Sequence, residues 1–456
     1  MVRLNDQTRD EYTNQVLSAL NAGEREQFRD GFLALHPTEQ VEIFQSLEKT
    51  KRKDVYQFIT PSEFAQIFQG LDIDDQKQYV LELDEKYAAE MFNNMYADDV
   101  ADFLGEIKEK AEKILNTMNK DDADDVKELL AYPPETAGAI MTKEFISIKA
   151  ESNASEVIEQ IREEAPDAET IYYLYVVDAK EKLVGVVSLR DLIIAPTSDK
   201  VEKIMSSRVV SVSVRDDQED VAKMIKKYDF LAVPVVNEEG KLVGIVTVDD
   251  VMDVVEEETE EDFGEISAAR GSLDANISSF TAAKKRAPWI VMLMFLGLVT
   301  AEVIGQFEET LEAFILLAVF IPLIMDSAGN TGTQALAVVV RGLALGTIER
   351  SSVGKLLKRE FGTGIMLGLI CMATLLIVVP LLYPTGGFLL AGIVGGSLFL
   401  TLSIATMVGA AIPLIINKLK IDSAVASGPF ITTINDILGL LIYFSIATAF
   451  LQYLPQ

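Results

Sequence analysis

Asp436 stands eight residues past Gly428, inside an apolar run that continues to Tyr453. At ~1.5 Å per helical residue it would lie ~12 Å into a spanning helix. A carboxylate at such depth costs on the order of 2.5–3.5 kcal/mol unless it meets water, a cation or a partner. The last apolar runs hold no Lys or Arg at matching depth. Thr432, Asp436 and Gly439 follow i, i+4, i+7 spacing, so they share one helix face, and Gly439 lets another helix come close. A second polar stretch, Asp326-Ser327-Ala328-Gly329-Asn330-Thr331-Gly332-Thr333-Gln334, has almost no large apolar side chain. Such backbone is tolerated in a bilayer only against protein or water. Together these residues describe a water-filled path with oxygen ligands and negative charge; a purely structural polar cluster is the alternative. His36 and Cys371 are the only imidazole and thiol, which excludes a disulfide framework and disfavours structural zinc.

Five hydrophobic runs must position these groups: approximately Pro288–Gly305, Leu311–Leu345, Phe361–Leu382, Phe388–Ile416 and Gly428–Tyr453. Each reaches the ~20 residues needed to cross a bilayer. The second and fourth are overlong, so tilt, a kink or a non-helical break is expected, with Pro322 and Pro413 as candidate causes. Basic clusters fall before the first run (Lys284-Lys285-Arg286), between the second and third (Arg350, Lys355, Lys358, Arg359) and between the fourth and fifth (Lys418, Lys420). All three lie on one side, which the positive-inside rule makes cytoplasmic. The expectation is a multi-pass cell-membrane protein with its N-terminal part in the cytoplasm and its C-terminus outside. Residues 1–30 are polar and contain no signal-peptide core.

Charge divides the chain the same way. From Lys284 onward ten basic side chains meet nine acidic ones, while the preceding segment holds thirty basic against sixty-one acidic. Nucleic-acid binding is disfavoured, because phosphate attraction needs a basic face. Residues 1–130 read as short helices with recurring starts: His36-Pro37-Thr38-Glu39 matches Thr60-Pro61-Ser62-Glu63 at a spacing of 24, and Met95-Tyr96-Ala97-Asp98-Asp99 echoes Met118-Asn119-Lys120-Asp121-Asp122 at 23. Such repetition predicts a superhelix of stacked helices. A second repeat pairs Met141–Ile148 with Met205–Val212, and Leu183-Val184-Gly185-Val186-Val187-Ser188 with Leu242-Val243-Gly244-Ile245-Val246-Thr247. Each unit alternates β-branched strands with amphipathic helices. Then comes Glu256-Glu257-Glu258-Thr259-Glu260-Glu261-Asp262, six acids in seven residues, which reads either as a solvated helix face or as a divalent-cation sensor.

The second repeat resembles a tandem pair of CBS domains over about residues 137–255. That resemblance implies nucleotide contacts, ATP among the candidates, at Arg190 and Asp191 with Phe230 stacking a base; capping of helices by Asp191 and Asp250 is the competing reading. The whole chain resembles the MgtE family of magnesium channels or transporters. The carrying motifs are Gly329-Asn330-Thr331-Gly332 with Gln334, and Gly428-Pro429 followed by Thr433 and Asp436. The implied architecture is a multidomain α-helical membrane protein: an all-α superhelical N domain (1–132), an α/β CBS pair (133–255), an acidic connecting helix (256–284) and five transmembrane helices (285–456).

By the same resemblance Asp436 holds hydrated Mg²⁺ at the interface of a homodimer, with Thr432, Thr333, Asn330 and Asp326 as the other pore candidates. Symmetry brings two Asp436 side chains to one axis, where a shared dication offsets their repulsion. Cytosolic Mg²⁺ is expected to gate the path through Asp98, Asp102, Asp217, Glu219, Asp229, Glu258, Glu261, Asp262 and Asp422. Two departures stand out: Thr333 where the family often has Asn, and Asp326 where it often has a small residue. Transport of another divalent ion such as Co²⁺ or Mn²⁺, a non-conducting cation or nucleotide sensor, and a membrane hydrolase with an Asp326–Asp436 dyad are the rival functions.

Overall fold

A computed structural model describes residues 9–107, 111–166, 168–269, 277–344, 347–348, 352–384, 387–419 and 427–454. It comprises two compact units, Met1–Val254 and Val255–Gln456.

The first unit opens with a run of short helices whose starts follow from local chemistry. His36 accepts from the Thr38 amide ahead of helix Pro37–Gln45. Thr60 and Glu63 cap helix Pro61–Gln69 reciprocally, each satisfying a backbone donor that the helix leaves orphaned. In both, proline occupies the first turn, where its missing N–H costs nothing. The 24-residue repeat has a structural meaning as well. Gln45 donates to Asp75 at 2.8 Å, and Gln69 repeats that tie to Asp99 at 2.6 Å. Between the helices runs a ladder of aromatic contacts, Phe44 on Phe64 at 5.2 Å and Phe68 on Phe92 and Phe103 at 5.8 and 5.4 Å.

Two three-stranded sheets follow. In the first, β1 (Phe145–Lys149) pairs parallel with β2 (Thr170–Val177), which pairs antiparallel with β3 (Leu183–Ser188). The second repeats this with β4 (Val212–Ser213), β5 (Ala232–Val236) and β6 (Leu242–Thr247). The repeated Gly and Met are reciprocal. A side chain on Gly185 would meet the sulfur of Met205 at 2.5 Å, and one on Gly244 that of Met141 at 2.6 Å. Each half thus lodges its methionine against the other half's glycine. The helical core is continuous with the second sheet: Phe92, Phe103, Val212, Val233 and Val246 belong to one buried cluster.

Helix Val248–Ile266 carries the acidic block, starting inside the segment assigned to the CBS pair. Among the described residues, five helices are long and apolar enough to cross a membrane: Ser279–Gly305, Ile315–Leu343, Val353–Leu382, Gly387–Lys418 and Gly428–Tyr453. The overlong second run is corrected by a break. Helix Glu308–Ala313 ends, Ile315–Phe320 forms a 3₁₀ segment, and an α-helix runs from Ile321 to Ala344 with Pro322 in its first turn. Pro413 stays inside the fourth span without ending it. The second span packs against the fourth and fifth, and the third packs along the fourth.

Candidate functional site

Small residues let the second and fifth spans approach at the polar motifs. A Cβ on Gly329 would strike Thr432 at 2.5 Å, and one on Gly332 would overlap the Asn435 amide. On the other side, a Cβ on Gly409 of the fourth span would overlap the Gly332 carbonyl. Thr333 donates to the Gly329 carbonyl at 3.0 Å and lies 3.2 Å from the Thr432 hydroxyl. Asp436 follows one turn beyond Thr432, and one of its carboxylate oxygens is buried without a hydrogen-bond partner. Asp326 is the charged group near enough to act on it. Asn330 donates to Asp326 at 3.1 Å.

Asp326, Asn330 and Gln334 recur every fourth residue and are all exposed. They form one polar face of a spanning helix, which water or protein must cover because lipid cannot. Thr333 and Thr432 thus meet across two helices, with Asp436 one turn beyond Thr432, while Asp326 and Asn330 stand together on the exposed face of the second span. The sequence reading missed Asn435. It is 1 % exposed, with neither amide atom hydrogen-bonded, an expensive arrangement in an apolar medium. No side-chain pattern announces it, since its burial depends on Gly332.

In the first unit, acids converge from four chain segments. Asp98 and Asp99 open helix Ala97–Ile107, Glu144 and Glu169 precede β1 and β2, and Asp249 and Asp250 open helix Val248–Ile266. Burial pushes the Asp98 carboxyl well above its usual range, and Asp250, Asp99, Glu144 and Glu169 add to the displacement. Asp99 is pushed up to about 6 by burial, against the opposing Gln69 hydrogen bond. Glu169 reaches about 8, from burial first and the charges of Asp250 and Asp249 next. Asp250 is raised by burial despite accepting from Thr247. Asp98 and Glu169 each keep a buried oxygen without a partner. Glu144 is better satisfied, accepting from the Ala97 amide at 3.1 Å and the Thr142 hydroxyl at 2.7 Å.

The orphaned oxygens and the accumulated negative charge fit a cation. Among the described residues, no three such ligands stand close enough to grip one ion directly. Of this cluster, only Asp98 was foreseen as a ligand. Asp250, expected as a possible helix cap, does hold the Thr247 amide and hydroxyl while also belonging to the charged group.

The other predicted regulatory acids have surroundings of their own. Asp102 is exposed one turn beyond Asp98. Asp217 caps helix Gln218–Tyr228 through the Glu219 amide, Glu219 pairs with Lys223 at 2.8 Å, and Asp229 ends that helix in a left-handed conformation. Asp217 and Asp229 thus sit at opposite ends of one helix. Glu258, Glu261 and Asp262 are the half-buried acids of their block, at i, i+3, i+4 on one face. Asp422 lies outside the described residues. For the nucleotide candidates, Arg190 is exposed, and Asp191 binds the Ser188 hydroxyl at 2.6 Å in a helix-starting pair. Phe230 stacks on Tyr228 with ring centres 5.4 Å apart.

Three family models match in chain order: an MgtE intracellular N domain over residues 35–135, CBS domains over 137–197 and 201–257, and an MgtE divalent cation transporter over 321–446. The magnesium transporter MgtE of Bacillus subtilis is 44% identical over 340 residues, covering 75% of each chain. The chain belongs to the MgtE family. Another member, the magnesium transporter MgtE of Thermus thermophilus, is 40% identical over 334 residues, or 72% of this chain and 73% of the relative. Among solved structures, the soluble part of a magnesium transporter superposes with a TM-score of 0.54 at 43% identity, covering 55% of this chain and 99% of that one. The cytosolic domain of the Mg²⁺ channel MgtE in complex with ATP gives 0.51 at 35% identity, covering 53% and 99%. This MgtE-family chain is accordingly a multidomain helical membrane protein.

Proposed function

We propose that this chain carries hydrated Mg²⁺ into the cytoplasm along a path between two copies of itself, with Asp436 as the charged ligand. The observation that carries this reading is the polar face of Asp326, Asn330 and Gln334 beside Asp436. An uncovered strip of this kind in a spanning helix calls for water and a second chain, and two such strips make an oxygen-lined path. Mg²⁺ gives up its water reluctantly, so Asp436, Thr432, Thr333 and Asn330 serve it through its hydration shell. Asp326 adds a second carboxylate level on the same path. An aspartyl dyad needs the two acids to share a proton through a hydrogen bond. Asp326 bonds Asn330 instead, which favours a transport role over an enzymatic one.

In the same reading, cytosolic Mg²⁺ binds the cluster of Asp98, Asp99, Glu144, Glu169, Asp249 and Asp250 and relieves its repulsion, while the acidic face of Glu258, Glu261 and Asp262 responds alongside. The basic ends of the spans face the cytoplasm, and ATP is a ligand of the CBS pair by analogy with the related cytosolic domain.

Flux of Mg²⁺ into proteoliposomes tests the central claim. The unsubstituted protein should conduct Mg²⁺ in preference to Co²⁺ and Mn²⁺, and Asp436→Ala should lose selective flux. Normal selective flux in that variant removes Asp436 from the path.

A further inference from the structure

The second and third spans leave a cavity of ≈ 430 Å³ where one ends and the other begins. Its cationic lining comes from Arg341, in the last turn of helix Ile321–Ala344, and from Lys355 and Arg359, in the first two turns of helix Val353–Leu382. Val338, Ile348 and Leu356 supply an apolar wall. This wall belongs to the fold: Ile348 and Leu356 pack on the buried cluster of Ala335, Val339 and Ala410. Thr347 and Ile348 lie against the end of the second span, with both amides and the Thr347 hydroxyl donating to the Gly342 carbonyl at 3.0, 3.2 and 3.0 Å. A side chain on Gly342 would meet Ile348 at 2.5 Å, so glycine makes room for this wall.

The charges decide the class of occupant. Arg359 is engaged with the nearly buried Glu360 at 2.7 Å. Arg341 and Lys355 form no ion pair among the described residues. Two cations without an ion pair among the described residues therefore line a half-apolar cavity at the end of two spans, within a chain whose net charge is −30. Cations beside hydroxyls suit a phosphate, and the apolar wall at the level where spans emerge suits the chain attached to it. Basic pockets between spanning helices at the cytoplasmic surface are suited to anionic lipid headgroups. The geometry points to a binding site for the headgroup of an anionic phospholipid, held by Arg341 and Lys355 with its glycerol and first methylenes against Val338, Ile348 and Leu356.

Native mass spectrometry of the purified full chain, exposed to phosphatidylglycerol, phosphatidylcholine or inorganic phosphate, tests it. Phosphatidylglycerol should be retained over phosphatidylcholine. Replacing both Arg341→Gln and Lys355→Gln should weaken retention by roughly fivefold per charge. Lys418→Gln, which removes a basic charge elsewhere at the span ends, should leave retention as it was. The charge-preserving pair Arg341→Lys and Lys355→Arg should retain the lipid, which separates loss of charge from loss of folding. Retention unaffected by the double glutamine variant would overturn the assignment, as would equal loss in Lys418→Gln or failure of the charge-preserving pair. Displacement of phosphatidylglycerol by millimolar inorganic phosphate would overturn the choice of a lipid.

Discussion

The proposed membrane path and the acid cluster of the first unit both leave carboxylate oxygens buried without partners, yet they are built in opposite ways. In the membrane, two acids stand on neighbouring helices whose close approach is set by glycines and threonines. In the first unit, six acids arrive on helix starts and strand approaches, and burial first, with their mutual repulsion next, pushes several carboxyls upward. A path must present the same ligands to every passing ion, so its geometry is rigid and its charge sparse. On the proposed reading the cluster is a sensor, which must respond to an ion and so gathers charge that binding can relieve. The contrast predicts that the path fails when geometry or its one essential charge changes, whereas the cluster gains stability when charge is removed.

The largest effect should come from Asp436→Ala. Loss of one charge-assisted interaction is worth about 1.5–3 kcal/mol, so selective Mg²⁺ flux into proteoliposomes should fall on the order of tenfold to a hundredfold. The corresponding change in the first unit, Asp98→Asn, should leave maximal flux intact and change only its dependence on cytosolic Mg²⁺. If the two variants behave alike, the division into path and sensor is wrong. Gly409→Ala should be nearly as damaging, because the new methyl would overlap the Gly332 carbonyl and backbone cannot turn away as a side chain can. Overpacking of this kind costs about 1–3 kcal/mol, to be read as a lowered thermal midpoint together with reduced flux.

The cluster should respond to pH with the sign its charges dictate. Asp99 at about 6 and Glu169 at about 8 are both raised above the ordinary carboxylate range. The folded protein therefore holds protons that the unfolded chain releases, and folding stability falls as pH rises from about 4 to about 8. Below that window both states are protonated, and above it the full penalty is present. In Mg²⁺-free buffer the thermal midpoint of the cytosolic transition should drop by several degrees between pH 5.5 and 8.5. Mg²⁺ should restore most of the drop at pH 8.5 and little at pH 5.5. Glu169→Gln should flatten the profile and raise the midpoint at high pH. A midpoint that rises with pH would break the reading of the cluster as an over-charged site.

What could be read from the sequence follows the same divide. Five spans were legible because hydrocarbon demands long apolar runs, and Asp436 was conspicuous because a charge within such a run is costly. The CBS-like repeat was legible from Gly185 and Gly244, although their exchange with Met205 and Met141 emerges only in three dimensions. Asn435 was hidden, since one amide beside a carboxylate in the fifth span says nothing of the glycine that buries it. Glu144 and Glu169 were hidden for a related reason. Each precedes a strand at an unremarkable position, and only the sheet order brings them to Asp98 and Asp250. Asp250 illustrates the limit of local reasoning: the capping role inferred from Thr247 spacing holds, while its membership in the cluster depends on residues 150 positions away.

The smallest effect tests the rigidity of the path without touching its charge. Thr333 contributes one hydroxyl, which donates back to the Gly329 carbonyl and meets Thr432 across the helix pair. Thr333→Val keeps the shape and removes both contacts, a loss of about 0.5–1.5 kcal/mol that should lower flux only a few-fold and leave assembly unchanged. If Thr333 serves only to hold the helices together, the variant should lower the thermal midpoint while preserving the preference for Mg²⁺ over Co²⁺ and Mn²⁺. If its hydroxyl also faces the hydrated ion, as the spacing to Thr432 and Asp436 favours, that preference should narrow while the midpoint barely moves. Selectivity and stability thus separate at a single oxygen, and an unchanged ion preference would remove the Thr333 hydroxyl from the ion's contacts on this path.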